Sequence, residues 1–309
     1  MKQAEYAIRT TGLNKKFGTR IAVDNLTIGI RKGEIFSLLG TNGAGKTTTI
    51  KMLCCLLDPS GGDARLFDMS IREKPMDIKK IIGVSPQETA IATHLSSREN
   101  LILMGGVHGL SSRESRARAD DLMGLLEIEN RKDRAGKLSG GLQRRLSIAM
   151  ALMSDPEIIF LDEPTLGLDP HARRSVWKYI EKLRGEKTIL LTTHYLEEAD
   201  SLADNIAIMD KGKIIEMGSP KELKARFTKG HLLRIEGEGI DNSLPVLLRD
   251  KGIEAELKNS GLEIVSPDPD YYHIFDLLRS KNVSIRKIST EEPTLDEVFI
   301  NLTEKEVQP

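Results

Sequence analysis

Gly40-Thr41-Asn42-Gly43-Ala44-Gly45-Lys46-Thr47 fits the phosphate-loop pattern G-x-x-x-x-G-K-[ST]. The residue types suit that chemistry. Glycines let main-chain N–H groups converge on phosphate oxygens, Lys46 sets a point charge on the β- and γ-phosphates, and the Thr47 hydroxyl suits Mg²⁺. Further on, Asp162-Glu163 closes the apolar run Ile158–Leu161. One carboxylate there suits Mg²⁺ held through water, and the next suits the orientation or deprotonation of an attacking water. Read alone, each motif has a plain alternative: a glycine-rich turn, or a solvated acidic pair. Read together they point to hydrolysis of a nucleoside triphosphate. A third segment, Leu138-Ser139-Gly140-Gly141-Leu142-Gln143-Arg144-Arg145, opens a helix 23 residues before Asp162. Ser139 is a good N-cap, and the two glycines permit close backbone approach to an anion.

These residues need elements to hold them. Gly33–Leu39 is an apolar run, as expected for a strand buried on both faces, and it leads straight into the glycine loop. Thr47–Leu57 follows as a helix. Tyr6–Leu13 and Ile21–Ile30 read as strands ahead of them. Ile81–Val84, Glu157–Leu161, Thr188–Thr192, Asn205–Met209 and Lys213–Met217 read as further strands, the last two as a hairpin around Lys211-Gly212. Between them lie helices: Ser96–Leu126, with breaks near Gly105-Gly106 and Gly109, then Gly140–Met153, Ala172–Leu183 and Leu196–Ala203. This alternation predicts an α/β domain with a largely parallel sheet. Lys221–Phe227 closes it, and Thr228-Lys229-Gly230 is the candidate linker.

Beyond the linker the order is strand His231–Glu236, helix Ser243–Lys251, a hairpin of Glu254–Lys258 and Gly261–Ser266 about Asn259-Ser260, helix Tyr271–Ser280 and strand Val283–Ile288. That is a β-α-β-β-α-β, ferredoxin-like pattern. A last helix spans Thr294–Thr303. The expected division is therefore 1–229 and 230–309.

In their order along the chain, these motifs resemble the ATP-binding cassette (ABC) ATPases. That family has a phosphate loop, a glutamine loop, an LSGG signature, an Asp-Glu pair, an aspartate loop and a switch histidine. Here they are Gly40–Thr48, Gln87, Leu138–Gly141, Asp162-Glu163, Leu168-Asp169 and His194. The resemblance covers about residues 4–226. It implies a P-loop NTPase cassette with a mixed core sheet and a helical subdomain at about 88–137. It implies ATP as substrate, bound by Phe17, Gly40, Thr41, Asn42, Gly43, Ala44, Gly45, Lys46, Thr47 and Thr48, with Phe17 stacking on adenine where the family usually has Tyr. It implies Glu163 as general base, His194 and Lys46 on the γ-phosphate, and Mg²⁺ held by Thr47, Gln87 and, through water, Asp162. One departure stands out: Leu142 occupies the place after LSGG where the family commonly has Gln, and Gln143 follows.

In that family the signature does not reach its own chain's nucleotide. The resemblance implies a head-to-tail pair in which Ser139, Gly140 and Gly141 contact the partner's ATP and Asp169 lies at the interface. With one cassette present, the pair is a homodimer or a pairing with another cassette chain. It also implies that the helical insert and the glutamine loop grip a polytopic membrane permease. The protein would then be cytoplasmic and peripheral on the inner face of the cell membrane. The tail, Glu292-Pro293-Thr294-Leu295-Asp296-Glu297-Val298-Phe299 with Leu302-Thr303, resembles the end of drug- and antibiotic-exporter ATPases. His171-Ala172-Arg173-Arg174 and Arg144-Arg145 resemble that subclass too. The expected function is thus an export ATPase subunit for a hydrophobic drug, antibiotic or lipid-like compound. The alternative is a soluble, non-transport ABC ATPase.

Composition narrows the rivals. The chain has 309 residues, 39% hydrophobic and 29% charged, which excludes wholesale disorder. Its formal charge of -1 argues against a nucleic-acid partner. From Gly230 on, nine basic residues face sixteen acidic ones, so the tail suits neither phosphate nor lipid headgroups. A translation-type cassette ATPase would carry two cassettes, and a repair-type one a long coiled coil between Thr48 and Ser139; neither is present. Intact Glu163 and His194 argue against a protein that holds ATP without turnover. Adjacent Cys54 and Cys55 suit small apolar packing in a reducing compartment rather than a disulfide. Met1–Thr10 has no secretory h-region, and no run approaches the about 18 apolar residues that span a membrane.

Overall fold

The computed structural model describes residues 6–129, 133–227, 231–258, 261–266, 271–291 and 294–305. The chain divides into two compact units, Met1–Ser219 and Pro220–Pro309. The expected linker Thr228-Lys229-Gly230 and the expected turn Asn259-Ser260 lie outside the described residues.

The first unit opens with strands β1 (Tyr6–Phe17), β2 (Arg20–Leu26), β3 (Gly29–Arg31) and β4 (Ile35–Leu39), then helix α1 (Lys46–Leu53). Strands β5 (Gly61–Leu66) and β6 (Met69–Ser70), helix α2 (Pro75–Ile81) and strand β7 (Ile82–Ser85) follow. Next come α3 (Ser97–Val107), α4 (Ser112–Leu125), α5 (Gly140–Ala151), β8 (Ile158–Asp162), α6 (Pro170–Lys182), β9 (Thr188–Thr193), α7 (Leu196–Leu202), β10 (Asn205–Asp210) and β11 (Lys213–Gly218). One sheet is antiparallel, in the order β2-β1-β5-β6 with β3 also on β1. The other runs β11-β10-β4-β9-β8-β7, parallel except for the β10–β11 hairpin. At the hairpin Lys211 and Gly212 have φ +43° and +87°, which a two-residue primed turn requires.

The parallel strands are buried on both faces, which is why their sequences are continuously apolar. Along β8, Ile158 and Phe160 join the core beneath the antiparallel sheet and α1. Ile159 and Leu161 join the core built with α3, α4, α5 and α6. Helices α3 and α4 each start with a complete capping box, Ser96 with Glu99 and Ser111 with Glu114.

Local expectations fail at three points, each for a visible reason. The helix expected to reach Leu57 stops at Leu53. Cys55 adopts φ +56°, and the N–H groups of Leu56 and Cys55 turn back to the carbonyls of Lys51 and Met52, a Schellman ending. The strand expected over Ile21–Ile30 is two strands, because the buried Thr10 hydroxyl interrupts the ladder: it donates to Leu26 O at 2.9 Å and accepts from Ile28 N at 2.9 Å. Gly105-Gly106 does not break α3. Gly105 stays helical and lets α4 approach, since a Cβ there would lie 2.7 Å from Ser115 Cβ. Strands β5 and β6 and helix α2 carry no clear sequence signal. Both cysteines are free thiols, Cys54 buried and Cys55 half-buried.

The second unit contains α8 (Pro220–Phe227), β12 (His231–Glu238), α9 (Ser243–Arg249), β13 (Glu254–Lys258), β14 (Gly261–Ser266), α10 (Tyr271–Ser280), β15 (Ser284–Glu291) and α11 (Leu295–Lys305). Its antiparallel sheet runs β13-β14-β12-β15, the split βαβ order expected of a ferredoxin-like fold. Leu233, Ile235, Leu262 and Ile264 pack under α9 and α10 through Leu244, Leu248, Ile274 and Leu278. Helices α8 and α11 pack together. Glu292 and Pro293 of the tail motif lie outside the described residues.

Candidate active site

Four neighbouring parallel strands, β4, β9, β8 and β7, end on the same side. The glycine loop follows β4, Glu163 follows β8, His194 follows β9 and Gln87 lies just past β7. Carboxyl ends of parallel strands are where such sheets bind ligands. There a cavity of about 500 Å³ is lined by Phe17, Asn42, Gly43, Gly45, Lys46, Thr47, Thr48, Gln87, Glu163 and His194. Arg20, Ala22 and Leu166 also line it, and none of them belongs to a recognisable sequence motif.

Gly45 takes φ +112°, and an added Cβ would collide with the Ala22 carbonyl oxygen, so glycine alone fits. Having no side chain to cap helix α1, it leaves the first N–H groups of that helix for an anion. Lys46 Nζ donates to Gly40 O at 2.7 Å and Thr41 O at 3.2 Å, and lies 3.1 Å from Glu163 Oε1. Glu163 Oε2 is 2.8 Å from His194 Nδ1. The Glu163 carboxylate thus stands between the Lys46 ammonium and the His194 imidazole. Ala44 is buried behind the loop, its N–H on Thr41 O at 3.2 Å.

Thr47 Oγ1 donates to Asp162 Oδ1 at 3.1 Å, and Thr192 Oγ1 donates to the same oxygen at 2.6 Å. Thr192 Oγ1 also accepts from Glu163 N at 3.0 Å. Glu163 has φ +50°, a left-handed conformation costing an L-residue about 1–2 kcal/mol, and so must be held from several sides. Phe17 is 50% exposed, with Lys15 Nζ 5.1 Å above its ring. One face carries a cation and the ring keeps apolar area for a base.

The signature and the aspartate loop are elsewhere. Ser139 and Gly140 are exposed at the start of α5, outside the cavity lining. Ser139 Oγ caps the helix, accepting from Leu142 N at 3.4 Å. Gln143 does not stand in for the missing glutamine. Its amide folds back on the carbonyls of Leu138 and Ala135, at 3.2 and 3.3 Å. Asp169 caps α6 by accepting from Ala172 N at 2.9 Å, which with other local N–H groups holds its carboxyl below the usual range.

Two further buried ionisable side chains lie close to Glu163. Arg144, on α5, is drawn down to about 10 by burial. Glu198, on α7, accepts from Thr165 Oγ1 at 2.8 Å and Trp177 Nε1 at 2.9 Å, and burial pushes its carboxyl up. Their burial and long-range partners leave no mark in the local sequence.

Comparison with known proteins bears directly on this cavity. The family model described as ABC transporter matches residues 23–166, and a second, described as ATP-binding protein DrrA1-3-like, C-terminal domain, matches 218–303. The daunorubicin/doxorubicin resistance ATP-binding protein DrrA of Streptomyces peucetius is 37% identical, over 97% of this chain and 93% of that protein. The chain belongs to the ABC transporter family. It is an ATP-binding subunit and an ABC-type ATPase. The Nod factor export ATP-binding protein I of Bradyrhizobium diazoefficiens is 34% identical over the full length of both chains. Among solved structures, this ABC subunit resembles the cassette MJ0796, a dimer in a post-hydrolysis state bound to ADP and phosphate. That likeness has a TM-score of 0.62 at 28% identity, and covers 69% of this chain and 98% of MJ0796. It also resembles cbiO1 of Clostridium perfringens, part of a cbiONQ transporter complex: TM-score 0.66, 29% identity, 71% and 90% coverage. No helix among the described residues is long and apolar enough to cross a membrane.

Proposed function

We propose that this ATPase powers export of a hydrophobic drug, antibiotic or lipid-like compound through a separate polytopic membrane subunit, working as a homodimer. The carrying observation is that one cavity gathers Lys46, Gln87, Glu163 and His194, while Ser139 and Gly140 stand exposed outside it. That arrangement suits an ATP shared between one chain's phosphate loop and another's signature. A C2 pair would make the two sites equivalent. Full-length relatives named for daunorubicin/doxorubicin resistance and for Nod factor export support the export direction.

In this reading Phe17 stacks on adenine, the loop N–H groups and Lys46 hold the phosphates, and Glu163 orients and deprotonates the attacking water. His194 steadies the γ-phosphate. Thr47 Oγ1 and Asp162 Oδ1, 3.1 Å apart, and the Gln87 side chain on the same cavity are hard oxygen donors that fit Mg²⁺. Bound there, Mg²⁺ would neutralise charge between the β- and γ-phosphates. Asp169 meets the partner chain.

A second cavity, of about 410 Å³, is lined largely by apolar groups, among them Leu56, Val84, Pro86, Ala90, Met104 and Met150. Pro86 precedes Gln87, so an occupant would press on the glutamine loop. This groove is our seat for the membrane subunit, which would hold the ATPase at the inner membrane face. The test is affinity capture of tagged protein from detergent-solubilised membranes of its host, with mass spectrometry. A stoichiometric polytopic protein that stimulates ATP turnover is expected. Capture of soluble assemblies alone would favour the non-transport reading.

A further inference from the structure

Arg144 is 4% exposed, and among the described residues its hydrogen-bond partners are all main-chain carbonyls. Nη2 donates to Asp162 O at 2.7 Å and Nε to Pro164 O at 2.8 Å. Those carbonyls flank Glu163, the residue with left-handed backbone. Nη1 donates to Pro86 O at 2.6 Å and Gln87 O at 3.3 Å. One planar guanidinium therefore spans the backbone on both sides of Glu163 and the backbone of the glutamine loop. A strained backbone persists only where its surroundings over-determine it. A lysine ammonium, a compact point charge, cannot reproduce this fork. Arg144 also rides on α5, whose first residues are Gly140 and Gly141.

We propose that Arg144 is a positioning residue: its guanidinium fixes Glu163 against the glutamine loop and ties both to the helix that begins at the signature. A shift of that helix, driven at the exposed Ser139-Gly140 end, is then felt at Glu163 and Gln87 of the same chain. The inference rests on Glu163 being the general base.

The test uses the full chain with Arg144→Lys and Arg144→Ala. Turnover is measured against ATP concentration, alongside binding of a fluorescent ATP analogue and thermal unfolding. Misplacing a reacting group by about 1 Å costs on the order of 10²-fold, so Arg144→Lys is expected to lower kcat by about that factor. KM and analogue affinity should stay within about threefold, because Arg144 makes no hydrogen bond to the glycine loop or Phe17, which bind the nucleotide in the proposed function. Added guanidinium should partly restore Arg144→Ala, and methylammonium should not. In an Arg144→Lys background, Gln87→Ala should cost less than it does alone, as expected for coupled residues. Wild-type turnover in Arg144→Lys would overturn the proposal, as would rescue by any small cation or full additivity with Gln87→Ala. If Arg144→Lys does not fold, the guanidinium experiment on Arg144→Ala decides alone. Glu163→Gln separates the two readings. Its loss of turnover beside an active Arg144→Lys sinks the positioning role only, whereas an active Glu163→Gln sinks the base.

Discussion

The two units bury ionisable side chains in different ways. Of the six buried acidic and basic side chains described in the cassette, Lys46, Asp162, Glu163, Arg144 and Glu198 gather in or near one cavity, and Glu34 lies apart on Arg31 N and Asn205. The ferredoxin-like unit has an aliphatic core, and its buried Glu263 is paired at the sheet surface with Arg234 at 2.7 Å and Lys258 at 3.2 Å. Buried charge is costly unless paired and hydrogen-bonded. The cassette bears most of that cost around one cavity, whereas the core of the second unit is aliphatic.

The contrast sets an order of expected effects. In the proposed mechanism Glu163→Gln removes the base, and phosphate release should fall by about 10²–10⁴-fold while ATP binding persists. Unchanged turnover would strip the cavity of its assigned chemistry. On the same proposal His194→Ala removes a donor to the γ-phosphate and should lower kcat by about 10²-fold. An effect on KM alone would make it a binding residue.

Ile264→Ala cuts into the core of the second unit and should cost about 2–5 kcal/mol. Calorimetry should register that loss while basal ATP turnover holds. A parallel loss of turnover would mean that the second unit supports catalysis.

The smallest effects have opposite signs with pH. Burial raises the Glu198 carboxyl above its ordinary 4.5, so its contribution is complete below that value and is lost as pH rises through the folded one. Glu198→Gln should flatten that decline, read by fluorescence of Trp177, the chain's one tryptophan, which donates to Glu198. Burial also pushes Glu263 up, but Arg234 and Lys258 outweigh it and hold the carboxyl below 4.5. Its contribution is present above 4.5 and is lost as pH falls through the folded value. Glu263→Gln should flatten the acid-side loss, read by hydrogen exchange of β14. Equal signs in the two units would refute the contrast.

What the sequence by itself determined is what lies in contiguous stretches. The phosphate loop, the Asp162-Glu163 strand end and the Ser139 helix cap are each readable within a few residues, whereas His194 gains its proposed role only through the family resemblance. The β-α-β-β-α-β order of the tail was legible for the same reason, because periodicity is a local property. Even locally, some features carry no readable pattern. The hydroxyl of Thr10 splits a strand, Cys55 turns left-handed where glycine is usual, and Gly105 serves helix contact rather than a break. What only the tertiary structure decided is which distant groups share a buried space. Thr192 reaches Asp162 across 30 positions, and Arg144 reaches Pro86 across 58. Neither carries a local pattern, because the need for Arg144 arises only once folding has stripped water from four carbonyls and set Glu163 in a strained turn that something must hold.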